Sequence, residues 1–153
     1  MLSLDTKIPP PVVAVLTAAG MWAASGLGLE FALPSWSRYA AVSIIALMGV
    51  GFDLMGIFSF RASRTTINPL KPERTSTLVT EGVYRITRNP MYVGLALLLC
   101  AWAVYLSSLL PFAGPAIFIL YITRFQIQPE ERVLKSIFGE TYTNYCARVR
   151  RWL

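Results

Sequence analysis

Two short stretches of this 153-residue chain gather side chains that can do chemistry. The first is Thr80-Glu81-Gly82-Val83-Tyr84-Arg85-Ile86-Thr87-Arg88-Asn89-Pro90-Met91-Tyr92-Val93-Gly94, where a basic, polar segment runs into the longest charge-free run of the protein. Asn89 is a favoured helix cap and Pro90 a favoured first helical residue, so a helix is expected to start there. Backbone N–H groups left free at such a start attract anions, and Arg85 and Arg88 add full positive charge. Tyr84 and Tyr92 bring flat faces suited to an adenine-like ring, each with a polar tip. The second stretch runs from Arg124 through Gln128-Pro129 to Glu130-Glu131 and ends at Phe138-Gly139. Pro129 is expected to open a helix whose paired glutamates sit at the positive end of its dipole, with Gly139 closing it. Taken singly, these residues also have plain roles as an inside-positive flank, a cap, an aromatic belt and helix-start electrostatics.

The totals narrow the chemistry. The chain has no histidine, which removes the commonest general base and the commonest metal ligand, and no metal site is expected. Its cysteines, Cys100 and Cys146, imply no disulfide framework. A net charge of +6 invites a nucleic-acid reading, but the placement of the charge argues against one. Residues 1–60 hold two basic against three acidic side chains, whereas residues 61–90 hold six against two.

The elements that must position these residues read as membrane helices. Hydrophobic residues make up 55% of the chain and charged ones 14%, and the apolar residues are blocked rather than spread. Ile8 to Leu29 and Asn89 to Thr123 carry no charge, and Tyr39 to Phe60 carries only Asp53. About 20 such residues cross a hydrocarbon core of about 30 Å. Asn89 to Thr123 is too long for one span and is broken by Pro111, Gly114 and Pro115, so it reads as a helical hairpin. The expectation is a single-domain, all-α integral membrane protein with about four transmembrane helices. Residues 1–60 form a two-span anchor, and residues 61–153 form the working part. Basic residues collect on the cytoplasmic side, which puts both termini, the 61–90 loop and the site there. A cleaved signal peptide ending near Ala23-Ala24-Ser25 is the alternative for the first span.

Several finer expectations follow. Ala18, Ala19, Gly20, Ala23, Ala24, Gly26 and Gly28, and then Gly49, Gly51 and Gly56, would let helices approach closely. Asp53 is either an intramembrane functional carboxylate or a partner for Arg61 or Arg64. Ser76 to Thr80 looks β-prone. Residues Glu140 to Leu153 space Tyr142, Tyr145, Val149 and Trp152 along one helical face, against the membrane or the protein. Their basic end, Arg148 to Arg151, would lie among anionic headgroups.

The two stretches, in this order and spacing, resemble the isoprenylcysteine carboxyl methyltransferase family and its phospholipid N-methyltransferase relatives. The matching residues are Ser76 to Tyr84, Arg88-Asn89-Pro90-Met91-Tyr92-Val93-Gly94, then Glu130-Glu131, Leu134, Phe138-Gly139, Tyr142, Tyr145 and Val149. They cover roughly the C-terminal half. The resemblance implies a membrane enzyme that moves a methyl group from S-adenosylmethionine to a lipophilic acceptor among membrane lipids. It implies cofactor contacts from Ser76, Thr77, Leu78, Val79, Tyr84, Arg88, Asn89, Pro90, Met91, Tyr92, Gly94 and Glu131. It implies acceptor contacts from Arg124 and Gln128, with Arg124, Glu130 and Glu131 as the catalytic set.

The chemistry of the residues agrees with that implication. Methyl transfer from a sulfonium is an in-line displacement that mainly needs alignment and exclusion of water. A carboxylate acceptor needs no base, and Arg124 can orient it with two prongs. An ammonium acceptor needs deprotonation, for which Asp53, a glutamate or a tyrosine is available. Many members of the family have histidine where this chain has Asn89, and an acidic residue where it has Gln128, so the acceptor stays open. A related sterol-reductase-like enzyme with a nicotinamide cofactor, and a non-catalytic small membrane protein, are the competing readings.

Overall fold

The computed structural model describes residues 7–27, 29–62 and 78–153, and every regular element among them is helical. Helix α1 spans Pro10–Ser25, α2 Ser35–Ala62, α3 Pro90–Leu106, α4 Ala113–Ile122 and α5 Gln128–Arg148. A 3₁₀ turn, Gly82–Arg85, precedes α3, a second, Leu110–Phe112, opens α4, and a π turn, Thr123–Ile127, joins α4 to α5. The β-prone appearance of Ser76 to Thr80 is not realised in its described part, since Leu78 to Thr80 forms no strand, and Ser76 and Thr77 lie outside the described residues.

The hairpin expected around Pro111 is α3 and α4. Helix α3 ends on Ser107, whose φ of 53° turns the chain, and Pro111 is fully buried in the 3₁₀ turn. The loop after α1 zips onto this corner, Phe31 N–H donating to Ser107 O and Leu109 N–H to Leu29 O, each at 3.0 Å. Two helical stretches, Ser35–Arg61 and Leu110–Arg148, are long and apolar enough to cross a membrane. Helices α1 and α3 are apolar but shorter, at 16 and 17 residues, so two of the four expected spans meet the length test.

Helix α3 sits at the centre because its sides differ. One side joins Tyr92, Ala96, Leu99 and Ala103 to Val13, Ala14 and Met21 of α1 and to Phe118 and Ile122 of α4. The other side meets α2 through small residues. A Cβ on Gly49 would stand 2.9 Å from Gly94 O, and one on Gly56 would stand 2.8 Å from Met91 Cγ. Gly49 and Gly56 therefore act as expected, whereas Gly51, Gly20 and Gly26 have nothing within 4 Å of an added Cβ. Asp53 packs its carboxylate on Gly94 in the same contact, and Arg64, one of the two arginines considered as its partner, lies outside the described residues. The outer faces are apolar and bare, with Leu47 and Leu120 72% and 71% exposed, the reverse of a water-facing surface.

The C-terminal expectation needs a correction. Helix α5 stops at Arg148, and Val149 is extended, with φ −123° and ψ 132°. Tyr142 and Tyr145 are buried on α5 as their spacing suggests, but residues 149–153 leave the helix and run beside Thr87 to Asn89. Arg88 N–H donates to Arg150 O at 2.9 Å, and Trp152 Nε1 to Thr123 Oγ1 at 3.1 Å. Hydrogen-bonding partners on the protein replace a continued helical face, so the backbone of this segment is tied to the fold while Arg148 and Arg150 stay exposed. Gly139, with φ 53° and ψ −123°, closes the first part of α5 as foreseen, and a second helical part continues beyond the kink.

Candidate active site

The two chemical stretches, some 40 residues apart in sequence, meet where α3 begins and α5 begins. Pro90 starts α3 as its fixed φ favours. Asn89 precedes it, but its side chain does not cap the helix. Instead Asn89 Nδ2 donates to Arg151 O at 2.9 Å, and Thr87 Oγ1 donates to the same carbonyl at 3.2 Å. The side chain that local sequence assigns to a cap is thus used to hold the returning chain.

Glu131 takes three charged hydrogen bonds or ion-pair contacts. Arg151 Nε donates to its Oε1 at 2.9 Å and Arg151 Nη2 to its Oε2 at 2.6 Å, a two-pronged grip, while Arg88 Nη1 stands 3.1 Å from Oε1. These bonds raise the Arg151 pKa above its ordinary value. Arg88 also donates to Cys146 Sγ, and its Nε is buried without a partner. Around this cluster lies an open cleft of about 510 Å³ lined by Arg88, Gln128, Glu131, Tyr142, Cys146 and Arg151, with Arg132 and Lys135 at its edge.

Glu130 points elsewhere, because consecutive helical residues diverge by about 100°. Tyr92 Oη donates to Glu130 Oε1 at 2.7 Å. Helix α5 carries Glu130, Glu131, Arg132 and Lys135 in its first turns, so the apolar part of the long α4–α5 rod ends before it. Burial, reinforced by the charge of Glu131 and opposed by the bond from Tyr92, pushes the Glu130 carboxyl up to about 8 from an ordinary 4.5. Tyr84 is buried beneath, edge-on to Phe60 with ring centres 5.4 Å apart, in a cluster with Val79 and Val83. Its carbonyl accepts the Tyr145 hydroxyl at 2.7 Å.

The expected site residues therefore divide. Arg88, Gln128 and Glu131 line the cleft, and Tyr92 and Glu130 form the adjoining pair. Pro90, Met91 and Gly94 are absorbed in the contact with α2, and Tyr84 and Val79 are packed rather than displayed. Leu78 is half-buried, and Ser76 and Thr77 fall outside the described residues. Arg124 is exposed on the π turn with its guanidinium 5.5 Å from the Phe125 ring, and it does not line the cleft. Arg151 and Tyr142 were not foreseen as site residues. Nothing local marks Arg151; a basic residue just past a buried-tyrosine helix is the only trace, and it reads equally as surface charge.

Comparison with known proteins shows the family of the chain. The model of the phospholipid methyltransferase family matches residues 36–141. The chain belongs to the phospholipid methyltransferase family. An uncharacterized protein of Haemophilus influenzae is 49% identical over 63 residues, 41% of this chain and 100% of its own length. Protein-S-isoprenylcysteine O-methyltransferase B of Arabidopsis thaliana is 37% identical over 92 residues, 57% of this chain and 44% of that protein. Methanethiol S-methyltransferase of Pseudomonas deceptionensis is 32% identical over 113 residues, 72% of this chain and 39% of that protein. The chain spans less than half the length of these two methyltransferases. The family resemblance carried by the two stretches is thereby borne out, and the family match reaches back through α2 as well.

Proposed function

We propose that the protein is a membrane-embedded methyltransferase that uses S-adenosylmethionine and acts on a lipophilic or small thiol, amine or carboxyl acceptor at the cytoplasmic face. When bound, that cofactor supplies a methyl group activated on a sulfonium. The observation that carries the reading is the meeting of Tyr92 with Glu130, and of Arg88 with Glu131, which joins both family stretches in one site. The residues present suit such a cofactor. Lys135, on the lining with Arg88, offers donors to a carboxylate, and Gln128 and Thr143 offer polar groups to hydroxyls. A cleft of this size is in the range of small-molecule sites. Tyr84 and Tyr145, with pKa values raised by burial, stay protonated, and the Tyr145 hydroxyl donates to the Tyr84 carbonyl.

The chain's own part in the reaction is alignment. Helix α3 and the start of α5 are braced by residues 149–152, so the groups facing the reactants need no rearrangement at the moment of transfer. The bare apolar faces of α1, α2 and α4, and the basic loop at 61–90, support four spans with the site inside.

Calorimetric titration of S-adenosylhomocysteine into the purified protein in detergent tests this reading. Saturable binding that Glu131→Ala weakens about tenfold or more, as loss of charged hydrogen bonds implies, supports it. No binding to the folded wild-type protein overturns it.

A further inference from the structure

We infer that Trp152 is a positioning residue of the cleft, which holds the wall of the site in place by gripping the π turn. The ligand-binding part of this inference rests on the methyltransferase reading above. Two neighbouring residues of the segment that follows α5 grip the α4–α5 rod at two levels. Arg151 forks onto Glu131, just beyond the turn. Trp152 Nε1 donates to Thr123 Oγ1 at 3.1 Å, where the turn begins.

The π turn is what lets one short segment reach both. Thr123 and Glu131 are separated by eight positions in the sequence. In an unbroken α-helix such residues stand about 80° apart around the axis. A π turn takes up one extra residue, so here they stand within about 20° of each other, on one face, about 10 Å apart along the axis. Arg151 and Trp152 have Cα atoms about 3.8 Å apart, and their long side chains bridge the rest. The pair therefore clamps the rod on either side of the turn and fits it only when the turn is present.

A π turn is an uncommon local choice and needs support from outside itself. Gln126, fully buried within it, donates its Nε2 to Ile8 O at 2.6 Å and ties it to the segment before α1. Trp152 ties it to the segment that also holds Glu131. The indole ring packs against the core cluster that contains Tyr92, Ile122 and Ile127, and its single polar atom is a donor matched by the Thr123 hydroxyl. The backbone beside it is bound to the start of α3. Arg150 O takes the Arg88 N–H at 2.9 Å, and Arg151 O takes Asn89 Nδ2 at the same distance. Three consecutive residues thus set α3, Glu131 and the π turn against one another. Most of the cleft wall is α5, through Gln128, Glu131, Lys135, Tyr142 and Cys146, and it faces Arg88 and Arg151. Loosening the grip on Thr123 moves that wall relative to the two arginines.

The test uses the full chain in detergent as wild type, Trp152→Phe, Thr123→Val, Thr123→Ser and the Trp152→Phe/Thr123→Val double variant. Phenylalanine keeps a packed ring without the N–H, valine keeps the shape of threonine without the acceptor, and serine keeps the acceptor. S-adenosylhomocysteine affinity, Tm and amide exchange of the Gln128 N–H, which closes the π turn on Thr123 O, are measured for each. The expected result is about three- to tenfold weaker binding in Trp152→Phe and in Thr123→Val, the value of one hydrogen bond. Gln128 exchanges faster in both, Thr123→Ser behaves as wild type, and the double variant loses no more than the worse single one. A lower Tm with unchanged affinity and exchange makes Trp152 a filler of the core and overturns the inference. Additive losses in the double variant, or a Thr123→Ser as weak as Thr123→Val, overturn it as well. If wild type binds no S-adenosylhomocysteine, the methyltransferase reading falls, and Gln128 exchange alone decides whether Trp152 holds the turn.

Discussion

Arg151 holds Glu131 with two guanidinium nitrogens, at 2.9 and 2.6 Å, across a sequence gap of 20 residues. Both side chains are partly open to solvent, at 34% and 18%, so the pair is worth less than a buried one. Arg151→Ala is expected to cost about 1–2 kcal/mol in thermal unfolding and to loosen S-adenosylhomocysteine. Arg151→Lys keeps the charge but not the fork, and is expected to fall nearer to alanine than to wild type. Wild-type behaviour of the lysine variant would show that charge alone matters.

Gly94 is where α2 and α3 come closest. A methyl group there would run into the Asp53 carboxylate and stand 2.7 Å from Gly49 O, one of them backbone that cannot step aside. Gly94→Ala is expected to cost about 1–3 kcal/mol and lower the Tm, the range for overpacked contacts. Gly51→Ala, two residues from Gly49 but with nothing within 4 Å, is the matched control and should leave the Tm unchanged.

Glu130 gives stability a pH dependence of known sign. Its carboxyl titrates near 8 in the fold and near 4.5 when unfolded, so the folded state keeps a proton that the unfolded state gives up. The contribution is complete below about 4.5 and is lost as pH rises through about 8. Glu130→Gln cannot titrate. Its Tm relative to wild type should climb across that window and stay level above it. A constant offset between the two curves would remove Glu130 as the source.

Gly139 bends α5 with φ 53° and ψ −123°, a combination that side chains strongly disfavour, in open space where an added Cβ meets nothing. Gly139→Ala therefore isolates backbone strain and is expected to cost about 1–3 kcal/mol. The bend also aims Tyr145 at the Tyr84 carbonyl. Faster amide exchange around Tyr84 should accompany the loss, and its absence would mean that the two parts of α5 are positioned independently.

What the sequence revealed and what it hid follow from the range of the forces involved. The start at Asn89-Pro90, the hairpin at Pro111 and the turning glycine at 139 are written in residues that constrain their own backbone, so they were legible. The use of Asn89 was not, because its amide chose Arg151 O over the helix end next to it. Arg151 itself was hidden for the same reason, since a guanidinium carries no mark of the carboxylate it will find 20 residues away. The packing of Pro90, Met91 and Gly94 against α2 shows the opposite confusion. A family motif mixes residues that touch ligands with residues that seat the helix presenting them, and only the fold separates the two.

The π turn at Thr123–Ile127 holds the phase of everything after it. Gln128 N–H reaches back to Thr123 O, one residue further than an α-helix would, just before Pro129, which has no N–H to offer. If those five residues tightened into plain α-turns, α5 would rotate by about 100°. Glu130 would then swing toward Arg88 and Arg151, and Tyr92 would face Pro129. A relative shorter by one residue at this point would keep both glutamates where they are. Here a one-residue deletion is the neutral change, and a straightened helix of unchanged length is the damaging one.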